Sequence, residues 1–239
     1  FTTIHNNVVI GEGTWIGSNV TIMEGARIGK NCNIFPGAVI SAPPQDLKYN
    51  GEETTVEIGN NTTIRECATI HKGTSDRMKT VIGKNCLIMA YCHIAHDCIV
   101  GNNCIFSNNS TLAGHVTIGE NVILAGLVAV HQFVSIGNHA FVTGGSLVRK
   151  DVPPYVKAAR EPLSYVGINS VGLRRRGFTS EKIRDIQNIY RILYQKHYNN
   201  SQAVQIIEAE MEATPERDEI LQFIRDSQRG IMKGYFSAN

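Results

Sequence analysis

An apolar residue, aliphatic in all cases but one, recurs at every sixth position through the middle of this sequence. The uninterrupted series consists of Ile82, Ile88, Ile94, Val100, Phe106, Leu112, Ile118, Leu124, Val130, Ile136, Val142 and Val148. A small or modest residue follows four places later, from Cys86 through Ser110 to Val152. A period of six fits neither an α-helix, at 3.6 residues per turn, nor a single amphipathic strand, at two. Short strands separated by turns of fixed length do satisfy it.

Hexapeptide repeats of this kind predict a parallel β-helix. Three short faces would give a triangular prism with about 18 residues per coil, in which the aliphatic and the small residue point inward and each coil stacks on the last. Asn and Gly pairs such as Asn102-Asn103 fall where the corners would lie, and both residues tolerate left-handed backbone conformations.

The six-residue period also holds from Ile10 to Ile40. It is interrupted twice, between Ile40 and Ile58 and between Ile70 and Ile82, and is regular from there on. Continuing it through the pauses would put Asp46, Glu52 and Asp76 at the inward aliphatic position, so residues 41–57 and 75–81 are interpreted as external loops. Removing two hexads from the first pause and one from the second aligns one edge of the prism. That edge would hold Ile40, Ile70, Ile94, Leu112 and Val130, and both loops would leave from the corner that carries His96.

The remainder of the chain predicts a small α-helical domain. Residues 1–154 are assigned to the β-helix and 155–239 to helices, after the rigid Pro153-Pro154 exit. The helices are expected near 166–176, from 180 to about 197 with Thr179 or Ser180 as N-cap, from about 201, and from Pro215 to 230 after Thr214 as N-cap. Because repeats begin almost at Phe1, a further N-terminal coil is expected to precede the sequence.

Composition narrows the function classes. A net charge of +2 gives no argument for nucleic acid or a membrane surface, and no apolar run approaches the roughly 20 residues of a bilayer-spanning helix. Five of the six cysteines fall on the inward small position, and there is no Cys-x-x-Cys pair, so neither a disulfide framework nor a thiolate metal site is expected. We expect a soluble, cytoplasmic protein with no bound metal or other cofactor.

Four of the eight histidines lie between His93 and His131. With 18 residues per coil, His96 stacks below Gly114 and Gln132, while Asp97 stacks below His115. His131 falls in a neighbouring column that His71 joins if the second loop is external. A histidine beside an aspartate, below a glycine with an unshielded N–H, suits acyl transfer to a hydroxyl: the imidazole removes the proton and the amide stabilises the oxyanion.

Simpler interpretations stay open at this point. The histidines could be ordinary surface residues, or His93 and His96 could contribute to a zinc site between subunits. The segment from Pro43 to Tyr49 could be a solvated loop rather than a polar arm over the same corner. The run from Arg174 to Arg176 could be helix C-terminal charge, or could meet a diphosphate or an acidic protein.

Seven segments together resemble a known family: QDLKY at 45–49, TIHKGT at 69–74, HIAHDC at 93–98, TLAGHV at 111–116, AVHQF at 129–133, DVPPYV at 151–156 and the stretch 172–178. They are similar to the acyl-carrier-protein-dependent UDP-N-acetylglucosamine 3-O-acyltransferases that open lipid A synthesis. The resemblance implies a left-handed parallel β-helix and a homotrimer with active sites between subunits. It also implies acyl carrier protein, through its phosphopantetheine arm, as the donor.

The resemblance further implies roles for individual residues. His96 would be the general base, Asp97 would orient it and Gly114 would supply the oxyanion N–H. The implied substrate-binding residues are Gln45, Asp46, Lys48, His71, His93, His115, His131, Gln132, Asn169, Arg175 and Arg176. The stretch Arg160-Glu161-Pro162 lacks a histidine that some members of the family carry there, which leaves the acyl length undetermined.

Three alternatives remain beside this one. The sibling enzyme that N-acylates the next intermediate shares the prism but carries a uridine-binding domain before it. Coenzyme A-dependent acetyltransferases use the same hexads but typically lack the QDLKY arm together with a helical cap of this kind. A purely structural or metal-binding solenoid would have uniform faces, which the clustered histidines and the three consecutive arginines argue against.

Overall fold

The computed structural model describes residues 1–196 and 198–234, and this part of the chain consists of short strands followed by four helices. In chain order the strands are β1 (Thr3–Ile4), β2 (Val9–Ile10), β3 (Trp15–Ile16), β4 (Thr21–Ile22), β5 (Ala26–Ile28), β6 (Asn33–Ile34), β7 (Val39–Ala42), β8 (Thr55–Ile58), β9 (Thr63–Ile64), β10 (Thr69–His71), β11 (Lys79–Ile82), β12 (Leu87–Ile88), β13 (His93–Ile94), β14 (Ile99–Val100), β15 (Ile105–Phe106), β16 (Thr111–Leu112), β17 (Thr117–Ile118), β18 (Ile123–Leu124), β19 (Ala129–Val130), β20 (Ser135–Ile136), β21 (Phe141–Val142), β22 (Leu147–Val148), β23 (Val156–Ala159) and β24 (Ser164–Ile168). The helices α1 (Ser170–Arg175), α2 (Ser180–Gln195), α3 (Asn200–Glu210) and α4 (Pro215–Asp226) follow, and β25 (Lys233–Gly234) ends the described chain.

Successive strands belong to three different sheets, which form the three faces of a left-handed parallel β-helix. The first sheet runs β1-β4-β7-β10-β13-β16-β19-β22 and the second β2-β5-β8-β11-β14-β17-β20. The third begins at β3 and continues through β21 into β23, β24 and β25. Ile94 pairs with Leu112, and Leu112 with Val130, so the 18-residue coil predicted from the hexads is confirmed.

The core of the prism contains the residues that the repeat places inward. Ile94, Phe106 and Leu112 have no exposed surface, and each such side chain contributes about 1.5–3 kcal/mol relative to an exposed one. The five cysteines expected to point inward are buried free thiols: Cys32, Cys86, Cys92, Cys98 and Cys104. The corners take left-handed backbone conformations, for example φ 58° at Asn103.

Both expected loops exist, but their bounds differ from the prediction: the first is shorter at both ends, and the second begins and ends three residues earlier than expected. Strand β7 continues to Ala42 and β8 begins at Thr55, so the first loop spans 43–54; the second spans 72–78, between β10 and β11. Ile70 pairs with Ile40 on one side and Ile94 on the other, which confirms the alignment predicted when the loops are removed. Each loop connects the first sheet to the second, the corner where His96 also lies.

The chain after Val152 differs from the expected run of helices. The segment Ser164–Ile168 is strand β24, antiparallel to β23, so the helix expected near Val166 begins only at Ser170. Burial alternates along Val156–Ala159, and this strand, β23, pairs with β21 of the last coil. Strand β24 then pairs with β23, because the third sheet has an open edge there. The division of the chain between residues 154 and 155 stays a prediction.

The helix boundaries follow the capping residues. The Thr179 hydroxyl accepts from the Lys182 N–H at the start of α2, and Thr214 caps α4 with Pro215 at its first position, as predicted. Helix α3 begins with a capping box from Asn199. Helix α4 ends at Asp226 rather than 230, and the expected end of α2 at His197 lies outside the described residues.

Tyrosines anchor the helices to the end of the prism. The Tyr190 hydroxyl donates to the Pro154 carbonyl at 2.6 Å, and Tyr194 donates to the Met232 carbonyl at 3.0 Å. Tyr165 of β24 stacks on both rings. None of the described helices is both long enough and apolar enough to cross a membrane.

Candidate active site

His96 lies at the corner between the first and second sheets, in the turn from β13 to β14. Gly114 occupies the same corner one coil further on, since β13 pairs with β16 in register. A Cβ at position 114 would lie 2.6 Å from both Cε1 and Nε2 of His96, a distance that real Cβ atoms do not adopt. The imidazole therefore lies directly against the Gly114 backbone, and only glycine leaves room for it there.

Asp97 holds the imidazole from the buried side. The Asp97 carboxylate has no exposed surface, and its Oδ2 lies 2.8 Å from Nδ1 of His96. Burial alone would raise the pKa of this carboxyl, but hydrogen bonds from Thr74 and His96 outweigh it and the pKa lies below its ordinary value. An ionised Asp97 keeps the His96 proton on Nδ1, which leaves Nε2 as an acceptor.

The Gly114 N–H donates no hydrogen bond within the described residues, although the neighbouring amides do. His115 donates its backbone N–H to the His96 carbonyl at 3.0 Å, and Ala113 to Val130 at 3.0 Å. Buried amides are almost always hydrogen-bonded, so a free one beside a histidine indicates a place for a ligand oxygen.

His115 forms the next layer of the site. Its Nδ1 lies 3.0 Å from Oδ2 of Asp76, at ion-pair distance but misaligned for a hydrogen bond, and its Nε2 lies 3.9 Å from Oδ2 of Asp97. The ring stacks on Phe133 with centroids 4.5 Å apart, and Phe133 is half exposed. Phe133 thus extends the site toward solvent as an apolar wall.

His71 and His93 form a second pair beside His96, with ring centroids 4.9 Å apart and nearly perpendicular planes. Burial, reinforced by the two neighbouring histidines, lowers the pKa of His71 to about 4. Burial also lowers the pKa of His93, whose Nδ1 lies 2.7 Å from the Thr69 hydroxyl. Both rings are therefore neutral at pH 7, and Nδ1 of His71 has no hydrogen-bond partner among the described residues.

The first loop contributes two of its predicted residues to a pocket next to His115. This pocket has a volume of about 260 Å³ and is lined by Asp46, Lys48, Glu52, Thr74, Ser75, Asp76, His115 and Phe133. Gln45 is exposed and does not line it. His131 and Gln132 are exposed on the coil above Gly114.

The three residues expected from the helical region lie on a different side of the prism. Asn169 and Arg175 line a pocket of about 330 Å³ with outward residues of the third sheet such as Phe141. Arg176 is half-buried, and burial lowers its pKa. The third sheet is the face opposite the corner of His96, so one chain does not bring these residues to His96.

Asn169 is held in place from two directions. Its side-chain amide donates to the His139 carbonyl at 2.9 Å, and its backbone N–H donates to the Tyr155 carbonyl at 2.7 Å. The His139 ring stacks on Tyr155, and burial lowers its pKa to about 4. The position of Asn169 is therefore fixed by the last coil.

Sequence reasoning missed the contribution of the second loop. Thr74 and Arg77 hydrogen-bond to Asp97, and Asp76 contacts His115. The repeat gives no register for residues outside it, so no spacing argument links position 74 to position 97. The only sequence signal was that Thr74 closes the TIHKGT segment beside His71.

His96, Asp97 and His115 also offer three donor atoms within 4.8 Å of one another, the one such group among the described residues. The Asp97 oxygens already accept hydrogen bonds from Thr74 and from the Arg77 backbone. A metal ion bound there would have to displace them.

Family models, curated relatives and solved structures all relate this chain to the same group of acyltransferases. Residues 151–232 match the model described as UDP N-acetylglucosamine O-acyltransferase, domain 2, and residues 2–42 and 79–114 match the bacterial transferase hexapeptide model. The acyl-[acyl-carrier-protein]–UDP-N-acetylglucosamine O-acyltransferase of Myxococcus xanthus is 47% identical over 195 residues, covering 81% of this chain and 76% of that protein. The Janthinobacterium protein of the same name is 44% identical over 199 residues, with the same shares covered.

The chain belongs to the UDP-N-acetylglucosamine O-acyltransferase family.

Solved structures of this family share the whole architecture. The Bacteroides fragilis UDP-N-acetylglucosamine acyltransferase superimposes with a TM-score of 0.93 at 45% identity, covering 97% of this chain and 98% of that one. The Francisella novicida enzyme gives a TM-score of 0.95 at 43% identity, over 98% of this chain and 86% of that one. The family resemblance read from the seven motifs is confirmed, and the chain is an acyltransferase of this family.

Proposed function

We propose that this protein transfers a 3-hydroxyacyl chain from acyl carrier protein to the 3-hydroxyl of UDP-N-acetylglucosamine, the first step of lipid A biosynthesis. The donor and acceptor are those in the names of relatives that cover most of the chain. The observation that carries the proposal is the His96 imidazole, which lies between an ionised Asp97 and the free N–H of Gly114. A cytoplasmic location is part of the proposal.

The proposed reaction passes through one ternary complex. Nε2 of His96 accepts the proton of the sugar hydroxyl while that oxygen attacks the thioester carbonyl carbon. The Gly114 N–H donates to the oxyanion of the tetrahedral intermediate. When the carbonyl re-forms, the C–S bond breaks, and the His96 imidazolium protonates the phosphopantetheine sulfur. Asp97 remains ionised throughout and stabilises the imidazolium.

A covalent acyl-enzyme is not part of the proposal. Cys98 is the thiol nearest to His96 in sequence, but it has no exposed surface and its Sγ donates to the Ala113 carbonyl at 3.1 Å. Burial raises the pKa of Cys98 to about 12, so its thiol stays protonated and unreactive at neutral pH. The proposed mechanism therefore uses direct attack by the sugar hydroxyl, which requires only the base and the oxyanion donor at this corner.

The proposed substrate contacts divide into two groups. Asp46, Lys48 and His115 line the pocket beside His96 and would hold the sugar and phosphates, with His71, His93, Gln132, Gln45 and His131 around them. Asn169, Arg175 and Arg176 would reach the nucleotide or the carrier protein from the third sheet. A homotrimer in which the third sheet of one subunit faces the His96 corner of the next would unite the two groups.

The test is an assay with purified protein, UDP-N-acetylglucosamine and acyl carrier proteins loaded with 3-hydroxyacyl chains of different lengths, read by product mass. We expect one O-acylated sugar nucleotide from the wild type. His96→Ala should lower the rate by roughly 10²- to 10⁴-fold, the usual contribution of a general base. His5→Ala, which removes an exposed histidine at the N-terminal end, should be unaffected.

Three results would contradict the proposal. The function fails if no product forms with any chain length. The base assignment fails if His96→Ala keeps more than about a tenth of the rate. The ternary mechanism fails if a labelled acyl group becomes bound to the protein when the sugar is omitted. Dialysis against a chelator should leave the rate unchanged, since no step involves a metal.

A further inference from the structure

The second loop, residues 72–78, donates most of the hydrogen bonds that Asp97 receives. Oδ1 of Asp97 accepts from the backbone N–H of Thr74 at 3.0 Å and of Arg77 at 3.2 Å. Oδ2 accepts from the Thr74 hydroxyl at 2.7 Å, and Nη1 of Arg77 donates to the Asp97 carbonyl at 2.9 Å. The loop that interrupts the repeat is therefore the one that surrounds the buried carboxylate.

This loop is itself held rigidly. The Thr54 hydroxyl, from the end of the first loop, donates to the Gly73 carbonyl at 2.5 Å, and the Met78 N–H donates to the Thr74 carbonyl at 2.8 Å. Gly73 is packed so closely that a Cβ there would lie 2.3 Å from the Lys79 nitrogen. Thr74 is only 6% exposed. A side chain so fixed can define the position of the group that it contacts.

Oδ2 of Asp97 has two histidines within reach, and only one arrangement suits catalysis. Nδ1 of His96 is 2.8 Å away and Nε2 of His115 is 3.9 Å away. A small rotation of the carboxylate would transfer its hydrogen bond from His96 to His115. The Thr74 hydroxyl occupies one remaining lone pair of Oδ2 and thereby opposes that rotation, because hydrogen bonds to ionised groups are short and directional.

We propose that Thr74 is a positioning residue for the reaction: its hydroxyl fixes Oδ2 of Asp97 on Nδ1 of His96, which keeps Nε2 of His96 unprotonated and ready to accept the sugar proton. Thr74 acts through Asp97 and touches no reacting atom. The inference rests on the proposed role of His96 as the base, and it assigns a function to the loop as well as to the residue.

The variants separate the hydroxyl from the rest of the threonine. Thr74→Val keeps the shape and removes the hydroxyl, Thr74→Ala removes both the methyl and the hydroxyl, and Thr74→Ser removes only the methyl. Thr80→Val is the matched control, because Thr80 is a fully buried threonine of β11 whose hydroxyl has no hydrogen-bond partner among the described residues. Thermal unfolding of each variant reports on the fold.

We expect kcat to fall about 10- to 100-fold in Thr74→Val and Thr74→Ala, the range for losing a hydrogen bond to a charged group. KM for UDP-N-acetylglucosamine should stay within about twofold, because Thr74 lines the proposed substrate pocket with only 6% of its surface exposed and its hydroxyl is engaged by Asp97. Thr74→Ser should remain within about threefold of the wild type, and Thr80→Val should match it.

The second measurement needs no substrate. Histidine-selective ¹⁵N labelling reports which ring nitrogen of His96 carries the proton, with His96→Ala used to assign the signal. We expect the Nδ1–H tautomer in the wild type and Thr74→Ser, and a mixture with Nε2–H in Thr74→Val and Thr74→Ala. This readout distinguishes positioning from general destabilisation, which would lower the unfolding temperature without changing the tautomer.

Three results would overturn the inference: wild-type kcat in both hydroxyl-free variants, an equal loss in Thr74→Ser, or a loss of kcat with the His96 tautomer unchanged. If Thr74→Val does not fold, the pair Thr74→Ala and Thr74→Ser decides. A wild-type protein that transfers no acyl chain would refute the proposed function, whereas the tautomer measurement would still test the role of Thr74.

Discussion

His96 and Gly114 constrain each other so closely that packing and chemistry cannot be separated at this corner. The ring occupies the space where any Cβ at 114 would lie. The same contact places Nε2 beside the Gly114 amide, which donates no hydrogen bond within the described residues. In the proposed mechanism Gly114 would thus have two functions that a larger residue would remove together: room for the imidazole, and an N–H for the oxyanion.

Two other histidines should make the free energy of unfolding depend on pH. His71 is buried and His139 is half-buried, and the pKa of each is lowered from 6.5 to about 4, chiefly by burial. Between these values the unfolded chain binds protons that the folded chain does not. The unfolded state is therefore favoured as the pH falls, and the free energy of unfolding should decrease from about pH 6.5 to about pH 4, by at most ~1.4 kcal/mol per pH unit for each histidine.

His139→Asn isolates one of the two contributions. Asn121 occupies the same corner one coil earlier with φ 59°, and His139 has φ 60°, so asparagine suits the backbone there. Urea unfolding of both proteins at fixed concentration, at several pH values between 7 and 4.5, should give a shallower dependence on pH for the variant. Equal slopes would mean that His139 is protonated in the folded state well above pH 4.

The sequence predicted which site residues lie close together wherever the repeat fixes their position in a coil. Positions 96, 114 and 132 are one coil apart, and so are 97, 115 and 133, so the convergence of His96, Gly114 and His115 followed from counting. Thr74 and Asp76 lie outside the repeat, so their contacts with Asp97 and His115 depend on how a loop folds back. Only the coordinates give that path.

At the scale of elements, the repeat predicted strand register but not how the prism ends. The pairing of Ile70 with Ile40 and Ile94 followed from matching inward positions across the loops. Beyond Val152 the hexads stop, and the apolar residues of Ser164–Ile168 fit a strand as well as a helix. The segment forms a strand rather than a helix because the open edge of the third sheet has unpaired backbone groups, with which a strand can hydrogen-bond.

The carboxylate of Asp151 joins the last coil to the C-terminal segment, and its removal is predicted to destabilise the fold. Asp151 is 2% exposed; its Oδ1 accepts from the Ser135 N–H at 2.8 Å and its Oδ2 from the Ser227 hydroxyl at 2.6 Å. Asp151→Ala would leave both donors unpaired, so we expect a loss of about 2–4 kcal/mol in the free energy of unfolding, measured with urea.

Asp226→Ala serves as the comparison for Asp151→Ala. Asp226 is exposed at the end of α4, and among the described residues its carboxylate accepts only from the Gln222 amide, at 2.8 and 2.9 Å. Its loss should change stability by no more than about 0.5 kcal/mol. Similar losses in the two variants would show that Asp151 does not join the two parts of the chain.

At the scale of the whole molecule, the two groups of proposed substrate contacts lie on opposite sides of one prism. The His96 corner joins the first and second sheets, whereas Asn169 and Arg175 lie over the third. A closed ring of subunits related by rotation would bring the third sheet of each chain to the corner of its neighbour, and each interface would then hold one complete site. The proposed homotrimer follows this geometry.

Mixed assemblies test this arrangement directly. His96→Ala and Arg175→Ala should each be almost inactive alone, and Arg175 is exposed, so its removal should leave the fold intact. In trimers formed at random from equal amounts of both, about a quarter of the interfaces pair an intact His96 from one chain with an intact Arg175 from the next. We expect about a quarter of wild-type activity from co-expressed, co-purified mixtures, and no recovery when the separately assembled variants are combined just before the assay. If each site belonged to a single chain, every chain would carry one defect and the co-expressed mixture would remain inactive.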